Sequence, residues 1–395
     1  MYWTYETAAP TLEGMTDTQI LVAGAGIGGL TTALALHERG IAAIVVDSAT
    51  DLKPLGVGIN LLPRAVAELD RLGMADEVAR HAAAPKAIEF HDSRGRLLFR
   101  EPRGIDGGYR GPQLSVHRGR LQALLLAAVR DRLGPDAVRT GHRLTGFDES
   151  ADEVLVHTTA GPLSADVLIG ADGIHSAVRA QLHPVGDPLL WSGMRMFRGA
   201  TKAAAFLDGE TMAIIKGDGV DVITYPIGDG LINWVVQVDE AAPGALPGDA
   251  NWNAPAAADV VVGHLGDFRV DWLDAAGLVR AADVVLEYPM VDRDPLPWWS
   301  DPDGDGRVTL LGDAAHPMYP VGANGGSQSI IDALTLADEL ARDARNGLRE
   351  YETRRLVETA DVVAANREML RGGAKPDELA DVTAKYRRDT RADGS

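Results

Sequence analysis

The sequence predicts an α/β protein: a nucleotide-binding unit is interrupted by a mainly antiparallel β-sheet and resumes before C-terminal helices. Three observations predict it. Residues 19–47, QILVAGAGIGGLTTALALHERGIAAIVVD, spell a short apolar strand, a glycine-rich turn, a helix, a second strand and a carboxylate. Between 190 and 290 the text turns aromatic and alternating, in GMRMFRGATKA, TMAIIKG, DVITYPIG, LINWVVQV and ADVVLEYPM. GRVTLLGDAAH (306–316) then returns to buried-strand style, and SQSIIDALTLADELARDA (327–344) to helical periodicity.

The first unit has the order of a Rossmann-like dinucleotide site. Gly24 permits a sharp turn off the strand, Gly26 lets the backbone approach a pyrophosphate, and Gly29 lets the helix pack closely on the sheet. The helix start offers unpaired N–H groups and a positive dipole end. Asp47, closing the second strand, is placed to accept from a ribose. LGVGINLLPRAVAELDRLG (55–73) follows as a glycine-lined loop and a helix with Pro63 near its first turn. Residues 86–114 alternate as a strand pair around IEFHDSRGRLLF. SVHRGRLQALLLAAVRDRLG (115–134) is an amphipathic helix with Arg118 and Gln122 one turn apart at its edge. Strands are expected at about 136–144, 153–158 and 166–171.

Composition excludes several classes. The 395 residues are 46% hydrophobic and 24% charged, with a formal net charge of −19, which argues against a nucleic-acid partner. With no cysteine, disulfides, thiolate metal sites and cysteine nucleophiles are out. No H-x-H or H-x-x-x-H pairing suggests a metal site. No apolar run is long enough to span a bilayer, and MYWTYETAAPTLEGMTDT has neither the basic start nor the apolar core of a signal peptide. The expectation is a cytoplasmic protein, monomer or homodimer, with a flexible extension over 1–17 and Met15 as an alternative start.

Two further motifs end strands in glycine and acid. DVLIGADGIHSAVR (166–179) carries Asp172-Gly173 and then Arg179. VTLLGDAAHPMYPVGANGGSQSIIDA (308–333) ends a buried strand at Gly312-Asp313, and a glycine-rich loop over 322–326 leads into a helix. Pro317 and Pro320 stiffen that loop.

In this order and spacing the three motifs resemble the signature of the single-component FAD-dependent aromatic hydroxylases, the p-hydroxybenzoate hydroxylase family, over roughly residues 18–371. Longer stretches, PLGVGIN (54–60), SVHRG (115–119), GADGIHSAVR (170–179), YPMVDRDPLP (288–297) and MYPVGANG (318–325), look like the phenazine monooxygenases of pyocyanin biosynthesis. The resemblance implies that Gly24, Gly26, Gly29 and Asp47 hold the ADP half of FAD. It places Arg118 and Gln122 near the pyrophosphate and ribityl chain, and Asp172 and Gly173 at FAD and NAD(P)H. It assigns Asp313 to the ribityl chain, and Gly322, Asn324, Gly325 and Gly326 to the flavin ring. Asp47 stands where the family more often has Glu, and Ser327 where many members have Asn. By the same likeness FAD lies in units 18–85, 113–187 and 291–345. A substrate sheet covers 86–112 and 188–290, and a helix with a charged tail covers 346–395.

The reaction so implied takes NADH or NADPH and molecular oxygen and hydroxylates a small aromatic or heteroaromatic substrate through a flavin hydroperoxide, with or without loss of a ring carboxylate. The protein's share is position and exclusion of water. The loop at 56–58 is expected to cover the flavin. Pocket candidates are Arg198, which suits a substrate carboxylate or a sheet-edge ion pair, one of Tyr225 and Trp234, and Pro317 with Tyr319. His316 is the one candidate acid or base, with loop support as its other reading. An epoxidase, a Baeyer–Villiger oxygenase or a flavin oxidase would share the fold. A non-catalytic flavin-fold binding protein would purify colourless.

Overall fold

The computed structural model describes residues 19–371 apart from 54, 55, 247, 249, 250, 252, 253, 267 and 305. The expected extension over 1–17 and the tail beyond 371 lie outside the described residues, as does the start of the PLGVGIN stretch.

A five-stranded parallel sheet forms the nucleotide unit, in the order Val308–Leu310, Val167–Gly170, Gln19–Ala23, Ala42–Asp47, Val138–Thr140. Its strands are short apolar runs because helices cover them. Leu21 pairs with Leu168 on one side and Ile44 on the other. The helix Ile27–His37 follows the first strand and packs against the helices Arg118–Leu133 and Gly325–Arg342. With Leu30, Ala33, Leu34 and Leu36 all buried, it has almost no polar face. The expected strand over 136–144 divides: Val138–Thr140 joins the parallel sheet, and Leu144–Glu149 starts a separate antiparallel sheet with Val154–Thr158 and Leu163–Ala165.

The second sheet is antiparallel except where Thr211–Lys216 runs parallel to Ala87–Asp92. Its main strands are ordered Leu286–Asp292, Leu190–Lys202, Leu231–Asp239, Val220–Pro226, Thr211–Lys216, Ala87–Asp92, Leu97–Pro102. Two helices, Ala258–Leu265 and Ala275–Arg280, lie inside the stretch whose text reads as strands throughout. The valine run of ADVVVGHL is misleading there, since its two buried residues, Val261 and Leu265, have i, i+4 spacing.

Register fixes which side chains face which way. Phe197, Val222, Trp234 and Val236 form a core with Leu278 and Val279 under those helices. On the opposite face Arg198 pairs with Val235, Tyr225 with Asn233, and Tyr288 with Met196. That second face meets the nucleotide unit through Gly58–Leu61, which pairs with Leu114–His117. Gly58 N–H donates to Asn233 Oδ1 at 2.6 Å.

Candidate active site

Two of the three glycines in the first turn are required by the protein itself. Gly24 has φ +110°, and a Cβ there would sit 2.3 Å from Ala171 O. A Cβ on Gly29 would sit 1.9 Å from Gly24 O, which is the close helix–strand packing the spacing predicts. Gly26 differs: a Cβ there meets no protein atom within 4 Å. It caps the helix start, where N–H groups point outward. Space that only glycine keeps open at a helix N-terminus suits a pyrophosphate.

Asp47 and Gln122 shape the same turn. Ala25 N–H donates to Asp47 Oδ2 at 2.7 Å and Ala49 N–H to Oδ1 at 2.8 Å. Gln122 Nε2 donates to Ala25 O at 2.7 Å. Each carboxylate oxygen retains a lone pair for a ribose hydroxyl. Arg118 opens the helix Arg118–Leu133, its stem beside Gly56 and its side chain exposed.

The second motif is built into the protein. Asp172 Oδ2 accepts from Ala177 N–H at 2.8 Å, and burial raises the carboxyl pKa. Gly173 has φ +79°. Arg179, fully buried, donates to Ala314 O at 3.1 Å and Ala315 O at 2.7 Å and pairs with Asp187. It thus ties this motif to the third.

In the third motif Gly312 turns with φ +62° and Asp313 follows half-buried. Burial raises the Asp313 carboxyl, and His316 and Arg118 oppose the shift. No hydrogen bond from the described residues reaches its oxygens. A half-buried acceptor with no donor among the described residues fits a cofactor hydroxyl. Gly322 and Ala323 both have positive φ before the helix Gly325–Arg342. Asn324 is buried, and its Nδ2 donates to Gly322 O at 3.3 Å and Asn366 Oδ1 at 3.4 Å. A Cβ on Gly325 would lie 3.8 Å from Asp313 Oδ1, and one on Gly326 would lie 2.5 Å from Ile59 Cδ1. Ser327 Oγ accepts from Leu62 N–H at 3.0 Å, so it joins two loops.

His316 sits beneath the loop. Its Nε2 is 2.6 Å from Asp332 Oδ2 and its ring lies against Trp299. Those contacts suit the supporting reading of His316.

Across from this loop lies the inner face of the large sheet. The Arg198 guanidinium carbon is 5.4 Å from the centre of the Tyr288 ring. Burial depresses the Arg198 pKa to about 10, Tyr288 and Tyr225 counter that, and Arg118 adds to it. Tyr288 in turn senses Asp313, while burial pushes its phenol up. Arg118, Arg198, Tyr225, Tyr288 and Asp313 therefore share one electrostatic neighbourhood between loop and sheet. Trp234 is a correction to the pocket candidates: register turns it to the other face, where its Nε1 donates to Thr201 Oγ1 at 3.0 Å. Of the pair, Tyr225 lies on the face that carries Arg198 and Tyr288. Pro317 is buried, and Tyr319 packs with Met196 and Tyr288, its hydroxyl 3.4 Å from Leu190 O.

Sequence reasoning missed Tyr288 and a polar group behind Tyr225. Asn60 bonds Tyr225, and Asn60 Oδ1 accepts from Ser115 Oγ and from Gln113 Nε2 at 3.4 Å. Polar residues inside otherwise apolar strand text were the available signal. No group able to hold a metal ion and no helix long and apolar enough to cross a membrane occurs among the described residues.

Comparison with known proteins agrees with this geometry. A family model described as FAD binding domain matches residues 17–188 and 301–366. The chain is 45% identical to the phenazine 1,6-dicarboxylic acid hydroxylase of Lysobacter antibioticus, over 94% of this chain and 97% of that one. It is 33% identical to 3-hydroxybenzoate 6-hydroxylase 1 of Aquipseudomonas alcaligenes, over 88% and 87%. The crystal structure of Klebsiella pneumoniae HpxO with FAD and uric acid superposes with a TM-score of 0.76 at 26% identity, covering 97% of this chain and 95% of that one.

Proposed function

The chain belongs to the FAD-binding family of single-component aromatic hydroxylases, and from that premise we propose that its substrate is a planar heteroaromatic carboxylic acid of the phenazine type. The observation that carries this is the Arg198 guanidinium on the sheet face opposite Asp313, flanked by Tyr225 and Tyr288. A half-buried cation beside the Tyr288 ring, with the Tyr225 phenol within electrostatic reach, suits a carboxylate on a flat ring system. The relative from Lysobacter antibioticus, whose name specifies a phenazine dicarboxylate, supports the ring class.

FAD, reduced by NAD(P)H, supplies the activation of oxygen. The chain's residues do the rest. Gly24, Gly26 and Gly29 shape the phosphate cradle, Asp47 takes a ribose hydroxyl, and Arg118 with Gln122 lie at the pyrophosphate. Asp172 and Gly173 set the turn beside it. Asp313 takes a ribityl hydroxyl. The loop with Gly322, Asn324, Gly325 and Gly326 borders the ring, where amide dipoles favour negative charge. Arg198 orients the substrate. In this reading units 18–85, 113–187 and 291–345 carry the cofactor and 86–112 with 188–290 the substrate. One oxygen atom enters the ring and the other leaves as water. Attack at the carbon bearing the carboxylate also releases carbon dioxide. The chain acts in the cytoplasm, where NAD(P)H is made, as a monomer or homodimer.

The test is NAD(P)H oxidation over phenazine, benzoic and hydroxybenzoic acids, with product mass read alongside. Phenazine acids should stimulate oxidation and gain 16 mass units, or exchange a carboxyl for a hydroxyl. Arg198→Met should raise KM about 10–100-fold, the worth of one hydrogen bond to a charged group. Oxidation that yields only peroxide with every acid would sink the hydroxylase reading in favour of an oxidase. Equal KM values for acids and their neutral amides would remove Arg198 from recognition.

A further inference from the structure

The terminal helix Gly347–Arg371 looks dispensable as polar text, yet its buried face carries polar groups that end on the cofactor loop. Tyr351 Oη donates to Leu310 O at 3.1 Å. One turn on, Arg355, 1% exposed, donates from Nε to Asp332 Oδ1 at 2.7 Å and from Nη2 to Gln328 Oε1. Asp332 Oδ2 accepts from Gly312 N–H at 3.1 Å and lies 2.6 Å from His316 Nε2. A single buried carboxylate thus joins the helix to the peptide just before Asp313. Three turns further, Asn366 Nδ2 donates to Tyr319 O at 3.1 Å, and its Oδ1 accepts from Asn324 Nδ2 at 3.4 Å. Arg367 then grips Asp292 of the substrate sheet at 2.7 and 3.0 Å.

Buried charge pairs contribute little net stability, but any displacement leaves a charge unpaired, so they hold geometry well. Here that geometry is the loop from 310 to 324.

We propose that the terminal helix is the clamp of the cofactor loop, with Arg355, acting through Asp332, the positioning residue for Asp313 and with Asn366 the positioning residue for 319–324. The docked helix thereby sets FAD affinity. This rests on the reading in which Asp313 and the loop hold the flavin.

The test uses full-length protein stripped of FAD and titrated with FAD by flavin fluorescence, beside the melting temperature of the apoprotein. Arg355→Met should raise the FAD Kd about 10–100-fold, as removing a supporting group behind a direct ligand contact does. Arg355→Lys should recover much of the loss. Leu265→Ala, in the distant core under the large sheet, serves as a control matched in melting temperature and should leave Kd unchanged. An unaltered Kd in Arg355→Met, or an equal rise in the control, overturns the clamp. If Arg355→Met does not fold, Asn366→Leu carries the same test against the same control. Asp313→Ala, titrated in parallel, separates the two claims. A weakened Asp313→Ala with an unaffected Arg355→Met discards the clamp alone, and an unaffected Asp313→Ala discards the flavin role of Asp313.

Discussion

At the scale of the residue, the three glycines of the first motif do different work, and substitution separates them. Gly29→Ala drives a Cβ into Gly24 O, an overpacking that costs about 1–3 kcal/mol or more because backbone must shift. A Cβ at Gly26 meets no other part of the protein within 4 Å, so Gly26→Val should melt near the parent temperature yet purify with little FAD. The flavin-to-protein absorbance ratio checks this, and a wild-type ratio in Gly26→Val would move the pyrophosphate elsewhere. His316 receives a similar separation. Its Nε2 is committed to Asp332 in the interior, so His316→Gln should keep single-turnover hydroxylation and lose mainly coupling. A general base in the oxygen-transfer step would be worth about 10²–10⁴-fold. A drop of that size with flavin binding intact would make His316 a catalyst. These residues were legible because the chemistry of a glycine turn is local. Asp332 and Arg355 were not, because their pairing depends on how two helices pack.

At the scale of the element, the helices Arg118–Leu133 and Gly325–Arg342 were legible from apolar spacing within 115–134 and 327–344, and Gly347–Arg371 only as a long polar run. The strands ending at Asp47 and Gly170 were legible from buried runs closed by turn residues, whereas the strand expected to end at Gly312-Asp313 stops at Leu310. Which face of a strand looks at the site was not legible. Tyr225 and Trp234 both sit in alternating strands, and only the pairing of Thr224 with Trp234 and of Tyr225 with Asn233 assigns them to opposite faces. The helix pair Gly325–Arg342 and Gly347–Arg371 has a further consequence for pH. Burial alone would raise the Asp332 carboxyl, but His316 and Arg355 outweigh it and hold the pKa down at about 2. A carboxyl lowered by folding contributes stability at pH above its unfolded value near 3.8 and loses it as pH falls towards 2. The shift corresponds to on the order of 2 kcal/mol. Urea midpoints of the wild type and Asp332→Asn should therefore differ most above about pH 4 and converge towards pH 2. A gap that stays constant across that range would mean that the ionised carboxylate is not what the fold stabilises.

At the scale of the whole molecule, neither sheet carries the site alone. The parallel sheet presents the glycine turns and Asp313, the larger sheet presents Arg198, Tyr225 and Tyr288, and the strand Gly58–Leu61 holds the two together. That division could be sensed in the sequence as a change of texture at about residue 190, but the seam could not, since Gly58 and Asn233 are 175 positions apart. At the seam a Cβ on Gly58 would lie 2.8 Å from Asn233 Cβ and from Ile227 Cγ2, so the two units meet with no room to spare. Asn233→Ala removes the acceptor and leaves the Gly58 N–H without that partner in a part-buried contact, a cost of about 1–3 kcal/mol. The cofactor cradle does not use Asn233, so FAD should stay bound and its reduction by NAD(P)H should persist. What the variant loosens is the closure that keeps water away from the ring being oxygenated, and hydroxylation depends on that closure where reduction does not. The expected outcome is a lower yield of hydroxylated product per NAD(P)H consumed, with peroxide making up the difference, measured by product mass and a peroxidase assay on one sample. Undiminished coupling in a folded Asn233→Ala protein with slackened thermal stability would mean that the seam holds the fold together without guarding the reaction.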